Sequence, residues 1–341
     1  MDPDLYRKII KEIEEIDSVE TIFFGGIAEP FSNPNILTML KAAVNTNKKV
    51  EVITNGTFLD ETLIKKLLSM NIDTLWVSLD GASQESYEEI RSGSNYNEVI
   101  DSLKLFNQLK YRFGGKTKLG IAFVAMKSNV HQIPELIKLT NSLHASELKI
   151  SNVIPFDKNM RDEVLYSNSL VCGNKSEDLF DVRSTFQPII SLPIMDFEKP
   201  QVKGILGEVF QNASLLRIGE NSIVRKSGHC NFINDNCLFI RWDGEFSPCM
   251  ALLHNNITYL SDTERRIEHC SFGNAKESKI TDIWNNKDYF DFRSRVRKFD
   301  FSPCTICGHC NYVDDNSEDC YGNQFPTCGG CLWAEGFARC P

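Results

Sequence analysis

A chain of 341 residues suggests about two domains, and a 42% hydrophobic content is enough for a sizeable core. The formal net charge of −9 argues against wholesale binding to nucleic acid or to an anionic membrane, both of which require clustered Lys and Arg. No apolar run is long enough to span a bilayer, and Met1-Asp2-Pro3-Asp4 opens without an apolar signal core, so a cytoplasmic protein is expected.

In chain order, Leu5, Ile9, Ile13 and Ile16 space out as one face of a helix. An apolar strand, Thr21 to Phe24, follows and ends in Gly25-Gly26. Ile36, Leu37, Leu40 and Val44 predict a second helix, and Val50 to Ile53 a strand ending in Thr54-Asn55-Gly56. Asp60 is placed to cap a helix through Leu63, Ile64, Leu67 and Leu68. Thr74 to Leu79 reads as a strand ending in Asp80-Gly81, and Leu119 to Ala125 and Glu147 to Ile154 as two more. Helices alternating with strands predict βαβ units in a parallel sheet. Residues 156–229, with an isolated Cys172 and with Pro188, Pro193 and Pro200, read as the end of this first unit (1–155) and a bridge to a cysteine-rich unit, 230–341.

Glycine and small polar residues stand where three of these strands end. Each group alone fits ordinary turn chemistry. Three along the carboxyl edge of one parallel sheet point instead to a small-molecule site.

The cysteines carry the strongest signal. Seven of the twelve fall between Cys304 and Cys340, and Cys230, Cys237 and Cys249 form a group upstream. Disulfides would need an oxidising compartment and suit a shorter scaffold. Closely spaced thiolates converge on soft metals, which makes an iron–sulfur protein the leading expectation. Zinc is the alternative: Cys304-x2-Cys307 and Cys328-x2-Cys331 approach zinc-ribbon spacing, although a ribbon would leave Cys310, Cys320, Cys340 and the upstream group without a use.

The strand-edge residues resemble the radical S-adenosylmethionine (SAM) family, a partial (β/α)6 barrel. Phe24-Gly25-Gly26-Ile27-Ala28-Glu29-Pro30 is similar to the turn after that family's second strand, which meets the methionine amino group. Thr54-Asn55-Gly56 is similar to the motif after the third strand. Val77-Ser78-Leu79-Asp80-Gly81 with Tyr87 to Arg91 is similar to the fourth strand and its helix, which contact the ribose and carboxylate. Val124 to Asn129 and Val153-Ile154-Pro155 are similar to the fifth and sixth strands, near the ribose and adenine. The resemblance implies SAM contacts from Gly25, Gly26, Glu29, Asn55, Ser78, Asp80, Arg91, Asn129 and Pro155. Taken singly, Arg91 reads more readily as a solvated helix charge and Asn55 as a turn residue.

That family also carries a Cys-x3-Cys-x2-Cys loop after its first strand, which holds the [4Fe–4S] cluster where SAM is cleaved. No cysteine precedes Cys172 here, and the first of the five strands matches the family's second. The expectation is that the N-terminal strand and cluster loop are missing from this sequence, so that the chain as written cannot cleave SAM. The other reading is a member that has lost the chemistry and kept the scaffold.

The second unit resembles the SPASM extension of radical SAM maturases. Cys230-x6-Cys237 and Gly244-x4-Cys249 are similar to its opening, Phe272-Gly273-Asn274 and Ile283-Trp284-Asn285 to its middle, and Cys304-x2-Cys307 to its close. Two auxiliary [4Fe–4S] clusters are implied. By order, Cys230, Cys237, Cys249 and Cys331 would hold one, and Cys304, Cys307, Cys328 and Cys340 the other. Cys310 and Cys320 stay open: either could replace Cys328 or be packed thiols. Cys270 is expected to be structural. The tail from Pro326 to Pro341 resembles the ending of maturases of tungsten-containing aldehyde ferredoxin oxidoreductases, which implies that enzyme or its tungstopterin as partner and ferredoxin or flavodoxin as electron donor. A peptide-modifying SPASM maturase and a non-catalytic iron–sulfur protein are the alternative functions.

Overall fold

The structure, a computed structural model, describes residues 1–166, 189–193, 195, 199–205, 209, 215–218, 228–260, 263–305 and 310–339. Helix α1 (Pro3–Glu14) begins where the Asp2 carboxylate accepts the N–H groups of Asp4 and Leu5, and Pro3 sits where a missing N–H costs nothing. Strand β1 (Thr21–Phe24), α2 (Ile36–Val44), β2 (Lys49–Thr54), α3 (Glu61–Met70) and β3 (Thr74–Ser78) then alternate. Asp60 does cap α3, accepting Leu63 N at 2.7 Å. After α4 (Gln84–Ile90) and α5 (Tyr96–Phe113) come β4 (Lys118–Ala125), α6 (Ile133–Ser142) and β5 (Glu147–Asn152).

Two further strands, β6 (Ile189–Leu192) and β7 (Leu215–Ile218), lie in the stretch that reads from sequence as a bridge, with a short helix α7 (Pro200–Lys203) between them. Among the described residues the sheet thus has seven strands where sequence reading finds five. All are parallel and pair in chain order, β1 to β7. Sequential order with no reversal is the wall of a barrel rather than a doubly wound sheet. Among the described residues β1 and β7 do not pair, so the wall is open, which is the expected partial barrel. Cys172 lies outside the described residues.

Central strands are apolar on both faces, as parallel strands covered by helices must be: β3 is buried along Thr74, Leu75, Trp76 and Val77. Leu40, Ile64 and Leu67 bring α2 and α3 down onto the sheet and are wholly buried, each contributing about 2–3 kcal/mol by removal from water.

Among the described residues the C-terminal third opens with a short helix (Asn231–Asn234) and has two small hairpins, β8 (Phe239–Ile240) with β9 (Phe246–Ser247) and β10 (Asn256–Leu260) with β11 (Thr263–Ile267), then helices Ile280–Trp284 and Lys287–Lys298 and a tail of turns. It docks on the barrel at two places. Helix α1 is apolar on two sides: Tyr6 and Ile10 join the sheet core, while Leu5 and Ile9 pack with Phe246, Ile280 and Ile283. Ile280 N donates to Glu12 Oε2 at 2.7 Å, and Lys8 Nζ to the Ala275 carbonyl. At the carboxyl end of β5 Asn152 Nδ2 donates to the Phe337 carbonyl at 2.9 Å, and beyond it the Tyr166 and Phe337 rings stack at 4.5 Å. No helix among the described residues is long and apolar enough to cross a membrane.

Candidate cofactor sites

The polar residues at the strand ends form a braced edge. Glu29, in the loop after β1, accepts Asn55 N at 2.7 Å with one oxygen, and Thr54 Oγ1 at 2.8 Å and Phe31 N at 3.0 Å with the other. It fixes the β1 loop against the turn after β2. Asn55 closes its own turn, its Oδ1 accepting Thr57 N at 2.9 Å. Gly25 and Gly26 are exposed. Gly26 has φ +130°, a left-handed value that favours glycine, and a Cβ there would meet no atom within 4 Å. Backbone can therefore be approached closely from outside.

Asp80, after β3, is buried. Its Oδ1 accepts Val124 N at 2.8 Å, and its Oδ2 takes Arg91 Nε at 2.8 Å and Nη2 at 2.7 Å. Arg91 is thus held by a carboxylate of its own chain as it reaches the edge, rather than standing as a free helix charge. Asn129 is wholly buried: its amide donates to the carbonyls of Asp80 (3.0 Å) and Val124 (2.9 Å), and its Oδ1 accepts Met126 N at 2.7 Å. It stitches β3 to β4 behind the edge. Ser78 is half-buried at the end of β3, and buried Pro155 offers its carbonyl to Tyr259 N at 3.0 Å, tying the sixth-strand motif to the cysteine-rich half.

The thiols separate into two groups. Cys230, Cys249 and Cys328 are buried and Cys331 half-buried. Burial pushes the Cys230 thiol up to about 12, and nearby Cys331 and Cys237 add to the effect. Burial likewise raises Cys249, with Cys331, Cys230 and Cys328 as neighbours, and Cys328, with Cys331 and Cys230. Five thiols therefore share one interior, and Cys328 sits with this set rather than with Cys304, where chain order had put it. A second group, Cys304, Cys310 and Cys320, lines one small cavity with Tyr312 and Val313. Cys304 Sγ lies 3.1 Å from Ser302 Oγ, which partly offsets the rise that burial imposes. Cys307 and Cys340 lie outside the described residues. Cys270 packs in the same apolar cluster as Cys230, Cys249 and Cys328, but while burial raises it to about 11, the charge that bears on it is Arg295, not a thiol. Among the described residues no three His, Cys, Asp or Glu side chains are placed to hold a single metal ion, and Cys310 and Cys320 are exposed. The soft donors of the buried group have the chemistry that suits a metal centre, whose cation would compensate the sulfur charge.

Sequence reading missed Arg265, a buried guanidinium between these groups, because a lone Arg in a short polar strand carries no motif.

Residues 1–139 match the model of the Radical SAM superfamily, and residues 230–311 that of SPASM, an iron-sulfur cluster-binding domain. The chain joins a region of the Radical SAM superfamily, whose members are enzymes, to a SPASM domain. Iron–sulfur clusters and SAM are the cofactors of such enzymes. The radical SAM chain is 26% identical over 347 residues to the tungsten-containing aldehyde ferredoxin oxidoreductase cofactor-modifying protein of Pyrococcus furiosus, covering 100% of this chain and 89% of that protein. It is 22% identical over 151 residues to the PqqA peptide cyclase of Bradyrhizobium diazoefficiens, 44% of this chain and 38% of the other. Among solved structures, Streptococcus suis SuiB superposes with a TM-score of 0.55 at 17% identity, covering 85% of this chain, which spans 61% of SuiB. Native anSMEcpe with bound AdoMet gives 0.54 at 14% identity, covering 92% of this chain and 78% of the other. These two likenesses establish the fold.

Proposed function

We propose that this radical SAM/SPASM chain is a maturase that modifies the tungstopterin of a tungsten-containing aldehyde ferredoxin oxidoreductase, or otherwise matures that enzyme. The observation that carries the reading is the extent of the likeness to the Pyrococcus furiosus protein, which runs through the barrel and the cysteine-rich half together. Likeness to the peptide cyclase takes in less than half of the chain, so peptide modification is the second reading.

In this reading the strand edge holds SAM. Exposed backbone at Gly25 and, with open space beside it, Gly26 receives the ammonium, Arg91, oriented by Asp80, receives the carboxylate, and Asn55 and Ser78 hydrogen-bond the ribose. Glu29, Asn129 and Pro155 hold these groups in place. SAM bound to a cluster supplies radical chemistry that no side chain can provide. The first thiol group holds one auxiliary [4Fe–4S] cluster. Cys304, Cys310 and Cys320, with Cys307 or Cys340, hold the other. A ferredoxin or flavodoxin in a reducing cytoplasm is the electron source.

The test is the oxidoreductase produced with and without this gene, assayed for aldehyde oxidation per bound tungsten. Equal activity in the two preparations overturns the proposal. Anaerobic reconstitution of the full chain should give about eight irons, two four-iron clusters; zinc with little iron would overturn the cluster assignment.

A further inference from the structure

Strand β11 alternates outward and inward, and Arg265 is its inward residue, 2% exposed. Its Nε and Nη2 donate to the Asp315 carbonyl at 3.2 and 3.0 Å. The adjacent carboxylate, Glu264, pairs with Arg266 instead, at 3.8 Å. The other side of the guanidinium lies against the backbone of Gly330, where a Cβ would stand 2.1 Å from Nη1 and 2.6 Å from Cζ. Gly330 belongs to the turn that presents Cys328 and Cys331. Gly329, beside it, approaches so closely that a Cβ would be 2.0 Å from the Ser302 carbonyl oxygen, and Ser302 contacts Cys304. The two thiol groups therefore meet across this turn, and Arg265 fills the meeting point. Burial disfavours its charge, and the groups that favour it are thiols of both sets, Cys331, Cys304 and Cys328, with a smaller part from the Asp315 carboxylate.

A buried guanidinium bonded to a neutral carbonyl is costly unless anions face it. Thiolate-ligated iron–sulfur clusters bring that negative charge. Arginine suits the position because it stays charged and its guanidinium occupies the space that Gly330 leaves by having no Cβ.

We propose that Arg265 is a positioning charge shared by the two auxiliary clusters, raising the reduction potential of both. The proposal rests on the iron–sulfur reading of the two thiol groups. A fixed cation in a low-dielectric interior favours the state with one more electron, so its removal makes reduction harder.

The experiment compares the full-length chain with R265Q and R265K after anaerobic reconstitution. Iron is counted, and each cluster's one-electron reduction by dithionite is titrated against mediators and followed by EPR. The expected result is that iron-replete R265Q reduces at lower potential, by about tenfold in the equilibrium or more, which is ~59 mV for one electron, while R265K keeps the wild-type value. If R265Q takes up little iron, recovery of iron by R265K supports the charge role, and equal failure of both variants overturns it. Unchanged potentials in iron-replete R265Q overturn the role of Arg265 alone. A wild-type chain that binds no iron overturns the cluster reading with it.

Discussion

Glu29 receives the backbone N–H of Asn55 at 2.7 Å, so a carboxylate leaving the first strand locks the turn that leaves the second. Three donors converge on that carboxylate. A glutamine can accept with one oxygen only, and its amide would face a donor. Glu29→Gln should cost about 1–3 kcal/mol, read as a lower denaturant midpoint, and should weaken SAM binding in equilibrium titration. A variant with wild-type midpoint and affinity would show that the clamp is idle.

Cysteine substitutions should sort by group. Cys249→Ala and Cys320→Ala should each remove about four irons of about eight, from different clusters, whereas Cys270→Ala should retain all of them. Iron and sulfide counts after reconstitution decide this. Equal losses in Cys270→Ala and Cys249→Ala would remove the distinction between ligand and structural thiols.

Two glycines should respond differently to a methyl group. At Gly329 a Cβ would strike the Ser302 carbonyl at 2.0 Å, and backbone cannot move aside cheaply. Gly329→Ala should lose at least half of the bound iron. At Gly26 the space is open and only the left-handed φ resists, costing about 1–3 kcal/mol. Gly26→Ala should keep its iron and lose SAM affinity.

Acid should loosen the β8–β9 hairpin through Asp243. The Arg241 guanidinium hydrogen-bonds this carboxylate and lowers it from 3.8 to about 2. The unfolded chain binds that proton more tightly than the folded one. The stabilisation is therefore present above the unfolded value and lost as pH falls toward about 2. Denaturant midpoints of the iron-free protein between about pH 5 and 2 should fall less steeply in Asp243→Asn.

The strand–helix alternation up to Asn152 was legible because Thr21 to Phe24 and Ile36 to Val44 carry clean apolar patterns and sharp turn residues. Ile189–Leu192 and Leu215–Ile218 were not, since four-residue strands are too short to show a period. At the strand edge the residue types were readable but not their partners: nothing local says that Asp80 is occupied by Arg91, or that Asn129 is an internal stitch. The grouping of thiols was out of reach for a related reason. Chain order places Cys328 after Cys320, yet the Gly329-Gly330 turn carries it across to Cys230 and Cys249.

Helix α1 has one apolar side for each half of the molecule, and its second partner is encoded far away: Glu12 bonds a residue 268 positions later. During synthesis at about 5–20 residues per second, Leu5 and Ile9 emerge tens of seconds before Phe246 and Ile280 exist to cover them. The nascent barrel must leave the ribosome with a greasy flank open to solvent, a natural foothold for a chaperone until the last third of the chain arrives.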